Sequence, residues 1–194
     1  MSRASVVAIC LAMLAPAPAI AQRLGTILEV FGSASLVGGV TSVAAPSGSH
    51  AALHGGARGD AGIQIGHLGL GLGGRIWQMV PTQEYGGTGF DYFLVGEWRE
   101  EPSSRTTIRG AFGGGWDDFD SGRGPERPNS GAQGIMWSVG IGHQVIAPRD
   151  TRLLLTADLI VPPPPSGGLG RKRPVLEVGV GKRYVGFHPI GPTR

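Results

Sequence analysis

The chain has 194 residues and a formal net charge of +3, and Cys10 is its only cysteine. A lone cysteine excludes disulfide frameworks and thiolate metal sites, and without a dense Lys/Arg stripe the chain is not expected to bind nucleic acid. Its 35 glycines are more than twice the usual share of about 7% and require a structural explanation.

The first 21 residues have the order of a secretory signal peptide. Arg3 precedes an apolar run over residues 6–14, and a small-x-small tripeptide follows that ends at Ala21. The run is too short to span a bilayer as a helix. We therefore expect cleavage after Ala21 and export of one domain over residues 22–187, with a short tail over residues 188–194. The single cysteine could mark a lipoprotein instead, but it lies inside the apolar run.

Eight later segments alternate apolar residues with small or polar ones, which is the period of a β-strand. They cover residues 25–37, 57–65, 68–79, 89–100, 104–116, 133–144, 152–161 and 175–187. The apolar residues occupy odd-numbered positions before Gly66 and His67 and even-numbered positions after them. A tight turn there separates the second and third strands, whereas a bulge would make them one long strand; the turn fits the loop lengths better.

The connections between these strands alternate in length. The long ones cover residues 38–56, 80–89, 117–132 and 162–173, and the short ones cover residues 66–67, 100–104 and 147–150. Short turns on one rim and long loops on the other are typical of outer-membrane barrels with an even strand number. The sequence therefore predicts an all-β fold, a single closed antiparallel up-and-down barrel of about eight strands.

The alternation does not by itself say which face is outside. Glycine is frequent on the polar face, where it would leave room for large charged groups in a narrow lumen, and lysine, common on soluble sheets, occurs only twice. We therefore expect the apolar face to meet lipid. The expected lumen charge network is Arg75, Asp91, Glu97, Arg109, Asp158, Glu177 and Arg183. The expected aromatic girdle is Phe90, Tyr92, Trp98, Trp116 and Tyr184. Arg99 and Arg105 share the polar face but lie near turns.

These features, with Phe187 near the end of the last strand, resemble the small eight-stranded outer-membrane β-barrels of the OmpA transmembrane-domain and OmpX types. The resemblance covers residues 24–187 and rests on pattern; a departure is the HPIGPTR tail after the aromatic. It implies a structural, adhesive or ligand-binding role at the surface, and in some members lipid modification.

We predict a non-enzymatic, monomeric outer-membrane protein with no cofactor and no metal. Its partners would be outer-membrane lipid and, through the long loops, lipopolysaccharide. Two alternatives stay open. One is an exported soluble β-barrel that binds an apolar ligand, and the other is an enzyme that modifies lipid A.

The hexapeptide GLGLGG over residues 69–74 matches the dinucleotide fingerprint G-x-G-x-x-G. That fingerprint must open a helix, and no helical period follows it here. We interpret it as leucines facing lipid and glycines facing the lumen. Gly69, Gly71 and Gly73 would then make space for Arg75 and the carboxylates opposite.

Other candidate motifs are weak. We expect His50 and His54 to be solvated loop residues rather than a metal or catalytic pair. Ser138 and His143 are five residues apart on one strand, so they face opposite sides. The acidic run from Asp117 lacks the glutamate that closes a calcium loop. The RGD tripeptide at residues 58–60 is explained by chance in a chain rich in glycine and arginine. The proline-rich stretch 162–173 is predicted to be an exposed loop.

Overall fold

The structure, a computed structural model, describes residues 28–45, 48–81, 86–101, 103–120, 130–146, 151–164, 170–171 and 174–188. The predicted signal peptide and most of the predicted tail lie outside these ranges. The strands are β1 Leu28–Ala45, β2 Gly48–Ile65, β3 Leu68–Met79, β4 Gly86–Trp98, β5 Thr106–Asp120, β6 Ser130–Ile146, β7 Thr151–Val161, β8 Gly170–Arg171 and β9 Val175–His188. The described residues contain no helix long and apolar enough to cross a membrane.

The sheet closes into a barrel. Strands β1 to β7 pair antiparallel in chain order, β9 pairs with β7, and β9 returns to β1. The two-residue β8 pairs with the outer end of β1 and is an appendage of the last long connection. Eight strands therefore form the wall, and the predicted fold class is confirmed.

The register fixes the slope of the strands. A path along paired residues starts at Leu28 and returns to β1 at Gly38, ten positions further on, through Ile65, Leu68, Trp98, Ile108, Ile141, Ala157 and Val178. A stagger of this size in an eight-stranded barrel tilts the strands by about 40°. The interior is then only wide enough for side chains to fill it.

The structure has a tight turn at Gly66 and His67. Gly66 has a φ of +57°, in the left-handed region that favours glycine, and Ile65 pairs directly with Leu68 across it. The second and third predicted strands are therefore separate, and the bulge alternative is wrong.

The predicted loop over residues 38–56 is wrong. Strand β1 continues to Ala45 and β2 begins at Gly48, with Ala45 paired to Gly48. The β5–β6 hairpin also extends into its predicted loop, to Asp120 and from Ser130. Apolar alternation weakens at these ends although backbone pairing continues, so a search for apolar periodicity ends the strands too early.

The barrel is inside out relative to a soluble protein. Leu36, Leu70 and Leu94 on its outer face are 74%, 70% and 62% exposed, whereas Arg75 and Arg183 inside are 2% and 0% exposed. In the part of β3 nearest the long connection that follows it, buried and exposed residues strictly alternate, and Ile76 is exposed between two buried residues. The predicted orientation of the two faces is the one observed.

Candidate functional site: the barrel interior

Besides an apolar cluster formed by Phe93, Val95, Ala111, Met136, Ile160 and Val175, the barrel interior contains three further layers between the short-turn rim and the long-loop rim. The first is a network of six charged residues, which we call the lower network. The second is a group of four polar residues, the upper cluster. The third is a set of apolar residues at the long-loop rim, the outer cap. Each layer draws its side chains from several strands, so it exists only when the barrel is closed.

The lower network joins three arginines to three carboxylates. Its members are Arg58, Asp60, Glu97, Arg109, Asp158 and Arg183. Asp60 accepts from Arg109 Nη2 at 2.6 Å and from the Ser33 hydroxyl at 2.5 Å. Because positive and negative charges are equal in number, the network is neutral, which burial of this many ions requires.

Aromatic rings flank two arginines of the lower network. The Arg58 guanidinium carbon lies 4.9 Å from the centre of the Phe93 ring, and that of Arg183 lies 4.2 Å from the centre of the Phe31 ring. These distances allow cation–π attraction. The arginines are therefore held by packing as well as by their carboxylate partners.

The upper cluster is centred on Arg75, which donates to both carboxylates of the cluster. Its Nη1 lies 2.9 Å from Glu177 Oε2, and its Nε lies 2.8 Å from Asp91 Oδ2, which Nη2 also contacts. His54 Nε2 lies 3.1 Å from Glu177 Oε2. One arginine thus faces two carboxylates, and His54 is the further group that can carry positive charge in this cluster.

A separate ion pair lies at the short-turn rim. Arg99, just after β4, is 1% exposed and makes a bidentate contact with Glu29, through Nη2 to Oε1 at 3.0 Å and Nη1 to Oε2 at 3.2 Å. The expectation that Arg99 could lie beyond the membrane at a turn does not hold, because its side chain folds back into the lumen.

Inward-facing glycines provide the space that these side chains occupy. A Cβ atom at Gly140 or Gly115 would overlap the carboxylates of Asp158 or Asp91, and one at Gly142 would lie 3.2 Å from Arg109 Cδ. In GLGLGG the expectation holds for two of the three glycines. The Cβ position of Gly69 lies 3.4 Å from Glu97 Cβ, beside the Gln64 side chain, and that of Gly73 lies 3.1 Å from Asp60 Cβ, beside the Phe93 ring. Gly71 instead faces the backbone of Ala61. Room for charges therefore comes from glycines on β3 as well as on β5 and β6.

All seven residues expected in the lumen charge network are inside the barrel and at most 3% exposed. Sequence reasoning missed Glu29, Arg58, Asp60 and His54. Arg58 and Asp60 could have been found, because they alternate with the apolar Ile63 and Ile65 on β2. Their burial also excludes the RGD tripeptide from contact with an external receptor.

The outer cap closes the lumen at the long-loop rim. It consists of Val43, Ala52, Trp77, Met79 and Phe119, all of which are at most 6% exposed. The rings of Trp77 and Phe119 are 6.0 Å apart, and His54 meets the edge of Trp77 at 6.4 Å. The cap thus rests directly on the upper cluster.

Prolines after β7 add to this closure. Pro162 and Pro163 are buried, and Pro163 lies against the inward-facing Gly115 and Gly134, within 3.2 Å and 3.3 Å of the Cβ positions those glycines lack. The start of the proline-rich stretch is therefore not an exposed loop. Asp117 is also buried inside the barrel, so it is not a solvated loop acid.

The expected girdle residues lie at two levels on the outer face. Trp98 and Tyr184 lie toward the short-turn rim; Trp98 ends β4, and Tyr184 lies four residues before the end of β9. Phe90 and Trp116 are paired neighbours toward the long-loop rim, and the Phe90 ring is stacked on Tyr92 at 6.4 Å. Phe90 is half-buried and the other four are exposed. Trp137, also exposed, belongs to the same surface and was not predicted.

The structure does not bring Ser138 and His143 together. Ser138 faces the lumen and His143 the exterior, where its Nδ1 lies 2.9 Å from the Thr106 hydroxyl. In the part of the chain that the structure describes, no group of three or more His, Cys, Asp or Glu side chains could hold a metal ion.

Comparison with known proteins gives the fold. Neither a protein-family model nor a curated protein sequence matches the chain. The attachment invasion locus protein Ail of Yersinia pestis is 10% identical, over 80% of this chain and 98% of its own, with a TM-score of 0.53. Neisserial surface protein A is 12% identical over 81% and 96%, with a TM-score of 0.49. The N-terminal barrel of Pseudomonas aeruginosa OprF is 11% identical over 81% and 97%, with a TM-score of 0.44.

The fold and the lumen together define a class. The chain has the architecture of the small eight-stranded outer-membrane β-barrels, as its resemblance to the OmpA and OmpX types implied.

Proposed function

We propose that this chain is a non-enzymatic outer-membrane β-barrel protein with a structural or surface-interaction role. The observation that carries the proposal is the reversed distribution of side chains, with leucine, valine, isoleucine and aromatic residues exposed and arginine and carboxylates buried. Hydrocarbon is the solvent in which that distribution is stable, since the closed sheet also pairs the backbone of each wall strand with a neighbour on both sides.

The lumen is proposed to be filled rather than open. Two observations support this: the ion pairs occupy the width of a barrel that encloses little more than side chains, and the outer cap covers them at one end. The expected roles follow from position. The charged residues brace the opposite walls of the barrel, and Trp98, Trp116 and Tyr184 meet the two interfaces of the membrane.

The long-loop rim is proposed to face the cell exterior. The β1–β2 hairpin extends beyond β3 and β9 there, and β6 extends beyond β7; these strand ends present the surface through which a structural or adhesive role would act. The lipid-facing wall would contact outer-membrane lipid, and the loops would lie among lipopolysaccharide headgroups. Because the barrel has no unpaired edge in its wall, a monomer suffices.

Two alternatives are less well supported. A soluble barrel that binds an apolar ligand would expose far more contiguous apolar surface than soluble monomers tolerate, and its ligand would have to displace buried ion pairs. An enzyme that modifies lipid A would need a nucleophile beside a base, and Ser138 and His143 are on opposite faces of the wall.

Membrane fractionation followed by a gel-shift assay tests the proposal. We expect the protein in the outer-membrane fraction, dependent on detergent for solubility, with faster migration before heating than after it. A monomer that stays soluble without detergent would refute the proposal. The enzyme alternative has its own test, because an altered lipid A acyl pattern in cells expressing the protein would support it.

A further inference from the structure

The outer wall of the barrel carries an apolar groove at the level of Gly114. On β5 the outward positions are Phe112, Gly114 and Trp116, so one side chain is missing between two large aromatic ones. Across the pairing, Gly114 faces Tyr92 on β4 and Ile135 on β6. The resulting groove has a volume of about 530 Å³, and it extends along β4 and β3.

The floor of the groove is backbone, and its walls are apolar side chains. Gly113, Gly114 and Gly115 form the floor. The Tyr92 ring leans against Gly114, so a Cβ atom there would overlap the phenol. The side chains with polar groups that line the groove are Tyr92, Trp116 and Gln133, and Gln133 is paired with Trp116 toward the long-loop rim.

The position of the groove determines what can fill it. It lies within the lipid-facing wall, so its occupant in a membrane is hydrocarbon. Its level is that of the long-loop half of the barrel, where Trp116 and Phe90 form the outer part of the girdle. In the orientation proposed above, this half contacts the lipopolysaccharide leaflet. A narrow groove between flat rings suits a straight saturated chain, and Tyr92 and Gln133 can bond to its ester or hydroxyl oxygens.

We propose that this groove, which we call the Gly114 groove, holds one acyl chain of lipopolysaccharide. The inference rests on the proposed function, because it requires the wall to lie in the outer membrane with the long-loop rim outward. It adds a specific lipid site to a surface that otherwise contacts lipid without selection.

Two leucine substitutions on the same strand test the proposal. Gly114→Leu fills the groove, and the three atoms nearest to its Cβ all belong to the Tyr92 phenol, which has to move aside. Gly110→Leu is the matched control, because Gly110 faces outward four residues away and its nearest atom is 3.9 Å from the absent Cβ. If Gly114→Leu fails to fold, Gly114→Ala and Tyr92→Phe replace it.

The readout is native mass spectrometry of protein released from bilayers made of equal weights of phosphatidylethanolamine and lipopolysaccharide. We expect wild type and Gly110→Leu to retain one lipopolysaccharide, and Gly114→Leu to retain severalfold less, because the leucine side chain takes the space and the packing contacts of the acyl chain. Equal retention by all three proteins would overturn the proposal. So would retention of phosphatidylethanolamine as strongly as lipopolysaccharide.

A failure of the proposed function has a different signature. In that case wild type does not insert into the bilayers and its migration does not change on heating. If insertion is normal and only the lipid selectivity is missing, the Gly114 groove is not a site and the barrel assignment stands.

Discussion

Glycine has two distinct uses in this barrel, which depend on the face it occupies. Inward glycines lie where neighbouring backbone or side chains come too close for a Cβ atom, whereas several outward glycines adjoin open space. At Gly71 a Cβ atom would lie 2.5 Å from the Ala61 carbonyl oxygen and 3.1 Å from Gly62 Cα. At Gly96, on the outer face, no atom lies within 4 Å.

Gly71→Ala should therefore be strongly destabilising, and Gly96→Ala should not. The obstacle at Gly71 is backbone that cannot rotate away, and overpacking of this kind costs about 1–3 kcal/mol or more. At Gly96 the added methyl group meets lipid and reduces the freedom of the unfolded chain, so the free energy of unfolding should be unchanged or slightly higher. Urea unfolding in lipid vesicles, followed by tryptophan fluorescence, measures both. Equal midpoints for the two variants would contradict this account.

Arg75 is the residue on which the upper cluster depends. Arg75→Met leaves Asp91 and Glu177 buried with no arginine between them, and loss of one partner from a buried ion pair costs about 3–5 kcal/mol. The matched control is Arg105→Met, because Arg105 is exposed beyond the start of β5. We expect a large fall in the unfolding midpoint for the first variant and little change for the second. A small effect at Arg75 would mean that water already compensates the carboxylates.

Much of the wall follows from the sequence because a sheet with one apolar face and one polar face has a strict period of two. The alternation of leucine and glycine predicts the bounds of β3. The shift of apolar residues from odd to even positions at Gly66 predicts the turn. The same rule places Arg58 and Asp60 inside. Partner choice inside the lumen does not follow from the pattern, because it depends on the stagger between strands. The joining of Arg109 to Asp60, 49 residues away in the chain, requires the closed register.

The outer cap was not predicted as a group. The period of two places Trp77 and Met79 inside together with Arg75, but Val43, Ala52 and Phe119 fall in segments that were predicted to be loops. Toward the long-loop rim the outer face is no longer uniformly apolar, and pairing between β1 and β2 continues on Ser, Ala and His residues. The inward face there becomes the apolar one, as in a soluble sheet. The upper ends of the hairpins thus pack around Trp77 and Phe119 as a small conventional core.

The cap should control access to the lumen. Thr41 lies inside the barrel beside the cap and is 2% exposed, so a Thr41→Cys thiol should react slowly with a water-soluble maleimide. Truncation of Trp77 and Phe119 to alanine should speed that reaction at least about tenfold, since even 1.4 kcal/mol of lost packing is a factor of ten. Alanine at the outward Trp116 and Trp137 is the control. Unchanged reactivity in the cap variant would show that the charges alone exclude the reagent.

At the scale of the whole molecule, the two rims of the barrel differ. One rim has only short turns, as expected for the periplasmic side, and the long-loop rim has the projecting hairpins, the outer cap and, in the adjoining half of the wall, the Gly114 groove. Each strand runs once from one rim of the barrel to the other, and the strands follow in chain order. If one turn is shown to lie on a given side of the membrane, the side of every other turn is therefore known. The functional proposals above therefore depend on a single binary choice, which can be measured in cells.

Single cysteines on the two rims make that measurement. Ser49 lies next to the β1–β2 turn and Ser103 lies in the short connection after β4, and both are exposed. In intact cells a membrane-impermeant maleimide should label Ser49→Cys fully and Ser103→Cys only after the outer membrane is permeabilised. The unsubstituted chain is the control, because it is expected to stay unlabelled once the predicted signal peptide and Cys10 are removed. The reverse pattern would place the long-loop rim in the periplasm, so that the Gly114 groove faces phospholipid and its assignment to lipopolysaccharide is lost.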